Sequence, residues 1–169
     1  MELKIEFGNI LNFSGGAIVN TVNSSLAPGY GLDGQVRNKA GIEVENQLSR
    51  FTRCEPGNVV ITSGGKLKQT FIIHAVGPIW KGGSHKESRV LREVYTNILL
   101  TAEKKGIQRL AIPNISTGIF GYPKEEAAEI AVEVISSFQS NTIKEVVVYC
   151  FERDNYNIYE QILTPTLCN

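Results

Sequence analysis

The chain has no excess charge of either sign: 17 Lys and Arg balance 17 Asp and Glu over 169 residues. No basic field draws in nucleic acid or a membrane surface, and neither is expected as a partner. No apolar run reaches the ~18 residues of a membrane-spanning helix. The opening Met1-Glu2-Leu3-Lys4 lacks the apolar segment of a secretory signal. Cysteine is scarce. Cys54, Cys150 and Cys168 are far apart and odd in number, which predicts reduced thiols and a cytoplasmic protein. No pair has metal-ligand spacing, and His74 and His85 make no site with them by sequence, so neither metal nor cofactor is expected. No Gly-Lys-Ser/Thr occurs, which excludes a P-loop nucleotide hydrolase. No repeat, low-complexity tract or linker interrupts the chain. Its length predicts one domain over 1–169.

Glycine is plentiful, and it clusters after strands. An apolar strand from Ala17 runs into Asn20-Thr21-Val22-Asn23, then Ser24-Ser25-Leu26-Ala27-Pro28-Gly29-Tyr30-Gly31-Leu32-Asp33-Gly34. Backbone this rich in glycine can approach a ligand closely and point several N–H groups inward. The following helix offers the positive end of its dipole. The loop therefore predicts one wall of a phosphate- and ribose-binding cleft. The plainer reading is a turn after a strand. Gly29-x-Gly31-x-x-Gly34 also fits the dinucleotide fingerprint. However, Asn23 to Pro28 separate it from its strand, and the acids in range, Glu43 and Glu45, fall in a predicted helix.

Periodicity predicts strands over Leu3–Phe7, Ala17–Val22, Val59–Thr62, Phe71–Val76, Arg109–Pro113 and Glu145–Phe151. Helices are predicted from Asp33 or Gly34 to a break at Gly41, then over Ile42–Phe51, Glu87–Lys105 and Lys124–Phe138. A last one, capped by Asp154, carries Ile158, Ile162 and Leu163. Trp80–Ser84 is predicted to be a flexible loop. Alternating strands and helices imply an α/β sheet covered on both faces.

Asn114-Ile115-Ser116-Thr117-Gly118-Ile119-Phe120-Gly121-Tyr122-Pro123 is a second glycine loop between a strand and a helix. If both strands are central and parallel, the two loops face each other at the strands' carboxyl ends. Two opposed rows of backbone N–H groups with no Lys or Arg suit a diphosphate. Asn20, Asn23 and Ser116 suit sugar hydroxyls, with turn-forming amides as the alternative. Phe120, Tyr122 and Phe151 suit stacking, with core filling as the alternative. His74, mid-strand, reads as a satisfied core histidine.

From about Leu3 to Leu163 the chain resembles a macro domain. The resemblance rests on Gly8-Asn9-Ile10, Ala17 to Asn23, Gly29 to Gly34, Ile73-His74-Ala75-Val76-Gly77-Pro78-Ile79-Trp80 and Ile115 to Pro123. It is closest to the MacroD-type subgroup, and it implies a three-layer α/β/α sandwich around a mixed, largely parallel sheet. The implied ligands are ADP-ribose, its esters and mono-ADP-ribosylated proteins. The implied activity is hydrolysis of O-acetyl-ADP-ribose and of mono-ADP-ribose on acidic side chains, with a non-catalytic ADP-ribose reader as the alternative.

The resemblance also implies roles. Asn9 and Ile10 would read adenine, with Phe151 stacking on it. Gly29, Tyr30, Gly31 and Leu32, with Ser116, Thr117, Gly118, Ile119 and Phe120, would hold the diphosphate. Asn20 is carried among the ADP-ribose-binding residues, and Phe120 would pack on the distal ribose. Asn23 and Asp33 would be catalytic. Three positions depart from the family. Asn9 stands where Asp is usual. Pro28 and Tyr30 interrupt the usual glycine run, so Tyr30 would fold over the distal ribose or fill part of its pocket. Arg37 stands where the subgroup has His, one turn from Asp33, where pairing would make Asp33 a weaker base.

Overall fold

The computed structural model describes residues 1–164, so Cys168 lies outside the described residues. The strands are β1 (Glu2–Phe7), β2 (Ala17–Thr21), β3 (Val59–Ser63), β4 (Phe71–Ala75), β5 (Arg109–Pro113) and β6 (Glu145–Cys150). They form one sheet in the order β1-β6-β5-β2-β4-β3. Every neighbouring pair is parallel except β3 with β4. The helices are α1 (Leu32–Ala40), α2 (Ile42–Leu48), α3 (Glu87–Lys104), α4 (Lys124–Ser137) and α5 (Arg153–Leu163). None of them is long and apolar enough to cross a membrane.

The strand alternation decides which helices sit where. Ile18, Ile72, Ala111 and Val147 point to one face, where they pack with Val36, Ala40, Val44 and Leu48 of α1 and α2. Val19, Ile73, Leu110, Ile112, Val146 and Val148 point to the other, beneath α3, α4 and α5. This is the sheet covered on both faces that the alternation implies, and the three-layer sandwich that the resemblance implies. Burial on both faces also explains why the central strands read as continuous apolar runs.

Several predicted boundaries move. The second helix stops at Leu48 rather than Phe51, because the Arg50 and Phe51 N–H groups turn back to Gln47 and Leu48 carbonyls in short i→i−3 bonds. Asp154 does not cap α5. It lies in the first turn, Glu152 holds the cap position, and the Asp154 carboxylate instead lies 3.7 Å from Lys124 Nζ. The first helix begins at Leu32, one residue before the prediction, directly after Gly31. What positions the site is the adjacency of β2 and β5. They pair in parallel through Ala17 with Leu110 and Ile18 with Ala111, which brings the two glycine loops side by side at one end of the sheet.

Candidate functional site

The loops enclose one cleft with two connected chambers. The smaller, about 250 Å³, is lined by Gly8, Asn9 and Ile10 and by Phe151, Tyr149 and Asn155. The larger, about 530 Å³, is lined by Asn23, Gly29, Tyr30, Asp33, Ser116 and Ile119, with Phe120 beside them. Thr21, Gly31, Leu32, Asn114, Gly118 and Glu152 line both. Neither lining contains Lys or Arg.

The second loop is wound so that its amides are left over. Ser116 holds a left-handed conformation, φ 66°. Beyond it, the Gly121 N–H donates to Gly118 O and the Tyr122 N–H to Ser116 O. Among the described residues, the N–H groups of residues 117–120 have no partner. A row of unpaired amides on a turn is an anion cradle. The first loop adds the start of α1, where Gly31 (φ 62°) precedes the first helical N–H groups. Ser116 Oγ is buried with no partner among the described residues. It lies so close to Gly77 that a Cβ there would come within 2.2 Å of it.

Asp33 sits beneath the first loop and is 4% exposed. One oxygen accepts the Gly29 N–H at 2.7 Å. The other accepts from Asn20 Nδ2 and from Arg37 Nε, both at 2.8 Å. Arg37 goes on to the Leu26 carbonyl at 2.8 Å and to Glu45 at 3.2 Å. The expected pairing of Arg37 with Asp33 is therefore present. Asp33 is not a helix cap: its carboxylate is turned to the loop, the sheet and the arginine, and α1 has no side-chain cap bond.

Asn20 is corrected by the structure. Its side chain is completely buried, lies outside the lining of both chambers, and bonds Asp33 instead of facing a sugar. Its Nδ2 also lies 3.2 Å from His74 Nδ1, and His74 Nε2 lies 2.9 Å from Thr62 Oγ1. The carboxylate requires Asn20 to present its NH2, so His74 Nδ1 must accept and the ring must be neutral. Burial, then the nearby Arg37 guanidinium, push the His74 imidazole down to about 4 against the opposing pull of Asp33. His74 is the core histidine the strand pattern predicts, and through Asn20 it also touches the site.

Asn23 lines the larger chamber, and its amide bonds Ala27 O and Ser25 Oγ within the loop. Asn9 caps the 3₁₀ turn Ile10–Asn12, with Oδ1 accepting the Leu11 N–H. Ile10 is buried in the wall of the smaller chamber, and Phe151 stands 74% exposed at its mouth. Tyr122 does not reach the cleft. It is buried and packs on Trp80, ring centroids 4.8 Å apart, so core filling accounts for it. Tyr30 does not fill the chamber either, being 94% exposed at its lip.

The Trp80–Ser84 loop is tied down where flexibility was expected. The buried Glu87 carboxylate accepts the N–H groups of Lys81, Gly83 and His85 at 3.0, 2.7 and 2.5 Å. Burial alone would raise Glu87, but these backbone bonds outweigh it and bring the carboxyl down to about 2. Trp80 N–H donates to Phe120 O at 2.8 Å, joining this loop to the second glycine loop. Sequence reasoning placed Thr21 and Asn114 in the two loops without giving them a role, and it missed Tyr149, Glu152 and Asn155 in the lining. The signal for Asn114 was its place at the end of β5, where strand-end residues face the crevice. Asn155, five places past β6 on a helix, had none.

The sequence signature described as Macro domain matches residues 19–131. A macro domain-containing protein of Listeria monocytogenes is 40% identical over 96% of this chain and 97% of its own. A Citrobacter rodentium protein named O-acetyl-ADP-ribose deacetylase is also 40% identical, over 96% of each chain. The Oceanobacillus iheyensis macrodomain with ADP superposes with a TM-score of 0.90 at 37% identity, covering 95% of this chain and 89% of that one. The Trypanosoma brucei macrodomain in complex with ADP-ribose gives 0.90 at 28% identity, covering 96% of this chain and 69% of that one. With the cleft built at the ends of β2 and β5 as described, the chain belongs to the macro domain family.

Proposed function

We propose that the cleft binds ADP-ribose and that the protein hydrolyses ADP-ribosyl esters, both O-acetyl-ADP-ribose and mono-ADP-ribose on acidic side chains. The observation that carries the reading is the row of unpaired amides at residues 117–120, set opposite the start of α1 in a cleft without Lys or Arg. Such a site holds a diphosphate by N–H groups and a helix dipole. Adenine goes to the smaller chamber against Phe151, and the distal ribose to the larger one beside Asn23 and Phe120. Relatives named O-acetyl-ADP-ribose deacetylase and neighbours holding ADP or ADP-ribose support the assignment.

The chemistry is attack of one water on the acyl carbon. The acyl–oxygen bond breaks, the distal ribose keeps its oxygen and gains a proton, and the acid leaves. Asn23 holds the ribose hydroxyls. Asp33, with one oxygen engaged by the Gly29 N–H alone, has a lone pair left to orient the water, and the bound diphosphate shares the base role. Holding water against a fixed ester supplies much of the barrier reduction. General-base help adds ~10²–10⁴-fold. The second reading is a reader that cleaves nothing. It is favoured by the buried Asp33–Arg37 pair, which occupies the other oxygen.

A time course with O-acetyl-ADP-ribose and with a mono-ADP-ribosylated protein separates the two. The expected result is release of free ADP-ribose, with Asn23→Ala slowing turnover by at least ~10²-fold while ADP-ribose binding holds within a few-fold. Tight binding with no release by the wild type establishes the reader instead.

A further inference from the structure

The larger chamber is two-faced. Its floor is polar: Asn23, Asp33 and the buried, unpartnered hydroxyl of Ser116. Its lips are apolar: Tyr30 on the first loop and Ile119 on the second are 94% and 96% exposed and line the same space. Both stand on pinned backbone. On one side of Tyr30 the Gly29 N–H is held by Asp33, and on the other the Gly31 carbonyl accepts from Gln35 in the first turn of α1. Across the cleft, Gly118 O and Ser116 O accept from Gly121 and Tyr122. Tyr30 is therefore free in its side-chain torsions while its backbone is held, and among the described residues its side chain is almost wholly exposed.

A pentose has the polarity that such a chamber complements, with hydroxyls on one side and a C–H face on the other. We infer that Tyr30 is a specificity-determining residue whose ring turns down over the C–H face of the sugar beyond the diphosphate, selecting ligands that carry that sugar over ligands that end at the phosphate. The inference rests on the ADP-ribose reading of the cleft. The movement needs only rotation about χ1 and χ2, and its driving force is removal of exposed aromatic surface from water. The hydroxyl is not required, because the face of the ring makes the contact.

Calorimetry with ADP-ribose and with ADP, which lacks the distal sugar, tests this on the wild type, Tyr30→Ala and Tyr30→Phe. Tyr30 is exposed, so folding is not at issue, and Ala keeps the backbone restrained where Gly would not. Tyr30→Ala is expected to weaken ADP-ribose roughly tenfold and to leave ADP within about twofold, and Phe is expected to restore ADP-ribose binding. Three results overturn the inference while leaving the cleft's assignment intact. In the first, the Ala variant binds ADP-ribose as tightly as wild type. In the second, it loses ADP as much as ADP-ribose, which places Tyr30 on the diphosphate. In the third, Phe fails to restore binding, which assigns the contact to the hydroxyl. If wild type binds neither ligand, the ADP-ribose reading itself falls, and the inference falls with it.

Discussion

The Asp33 carboxylate accepts from three donors, and truncating it leaves the Arg37 guanidinium, whose side chain is only 5% exposed, with only Glu45 and the Leu26 carbonyl. Breaking a buried pair from one side costs about 3–5 kcal/mol, so Asp33→Ala is expected to lower the melting temperature whatever its role in turnover. Asp33→Asn is the cleaner variant. It keeps the volume and one acceptor, but its new NH2 must face either Arg37 or the Gly29 N–H. Under the hydrolase reading, the folded Asn variant keeps ADP-ribose affinity within a few-fold and loses at least ~10²-fold in turnover. Unchanged turnover per folded molecule would remove Asp33 from the reaction. Gly118 offers a second residue-scale test. A Cβ there meets nothing within 4 Å, its φ lies outside the left-handed range, and it borders both chambers. Gly118→Val is therefore expected to melt like wild type and to lose most ADP-ribose affinity in calorimetry. Asn9→Asp keeps the bond to the Leu11 N–H and gives adenine a charged acceptor, which should tighten ADP-ribose binding by about 1 kcal/mol. Unchanged affinity there would mean adenine is read elsewhere.

The second glycine loop is braced by an element that does not touch the cleft. Glu87, at the first position of α3, gathers three N–H groups of the preceding loop. That loop in turn seats Trp80 against Tyr122 and bonds Phe120 O. Glu87→Gln replaces one acceptor oxygen by a donor facing backbone N–H groups. It is expected to speed amide hydrogen exchange at Lys81 and Gly83 and to weaken ADP-ribose binding several-fold, with the sheet's exchange unchanged. Slow exchange in the variant would show that the loop holds without the carboxylate. This brace was not legible in the sequence, where Glu87 reads only as the acidic start of a helix and Gly82-Gly83 as slack. The sheet was legible, because the continuous β-branched runs at Ile72-Ile73 and Val146-Val147-Val148, buried on both faces, are written directly into residue type. Both loops were legible because glycine marks where backbone must come close. Asn20 was placed on the wrong side. A strand-end amide looks the same in sequence whether it faces a ligand or a neighbouring carboxylate. Only the β2–β4 register, which sets Asn20 beside His74, decides that.

Two buried groups, His74 in β4 and Glu87 at the start of α3, make the whole molecule sensitive to acid over different ranges. His74 is neutral in the fold, held down to about 4 by burial and by Arg37, against an ordinary value of 6.5. Between those values the unfolded chain binds a proton that the native state refuses. Stability therefore rises with pH across that window and is lost as pH falls through it, by about 3 kcal/mol in all. Glu87 has the opposite chemistry and the same direction of effect. Its carboxyl lies near 2 in the fold against 4.5 ordinarily, so its contribution is complete above 4.5 and is lost as pH falls from there toward 2. The two windows barely overlap, so one residue can be silenced at a time. Urea unfolding at a series of pH values should show the wild type losing stability from about pH 6.5 downward, with a further loss below about 4.5. His74→Gln, which offers an amide for Asn20 and Thr62 but no titrating ring, should start less stable and flatten the upper window only. Glu87→Gln should flatten the lower window only. A wild-type stability that stays level between pH 7 and pH 5 would mean that His74 is already charged in the fold. The tautomer that orients Asn20 against Asp33 would then be wrong.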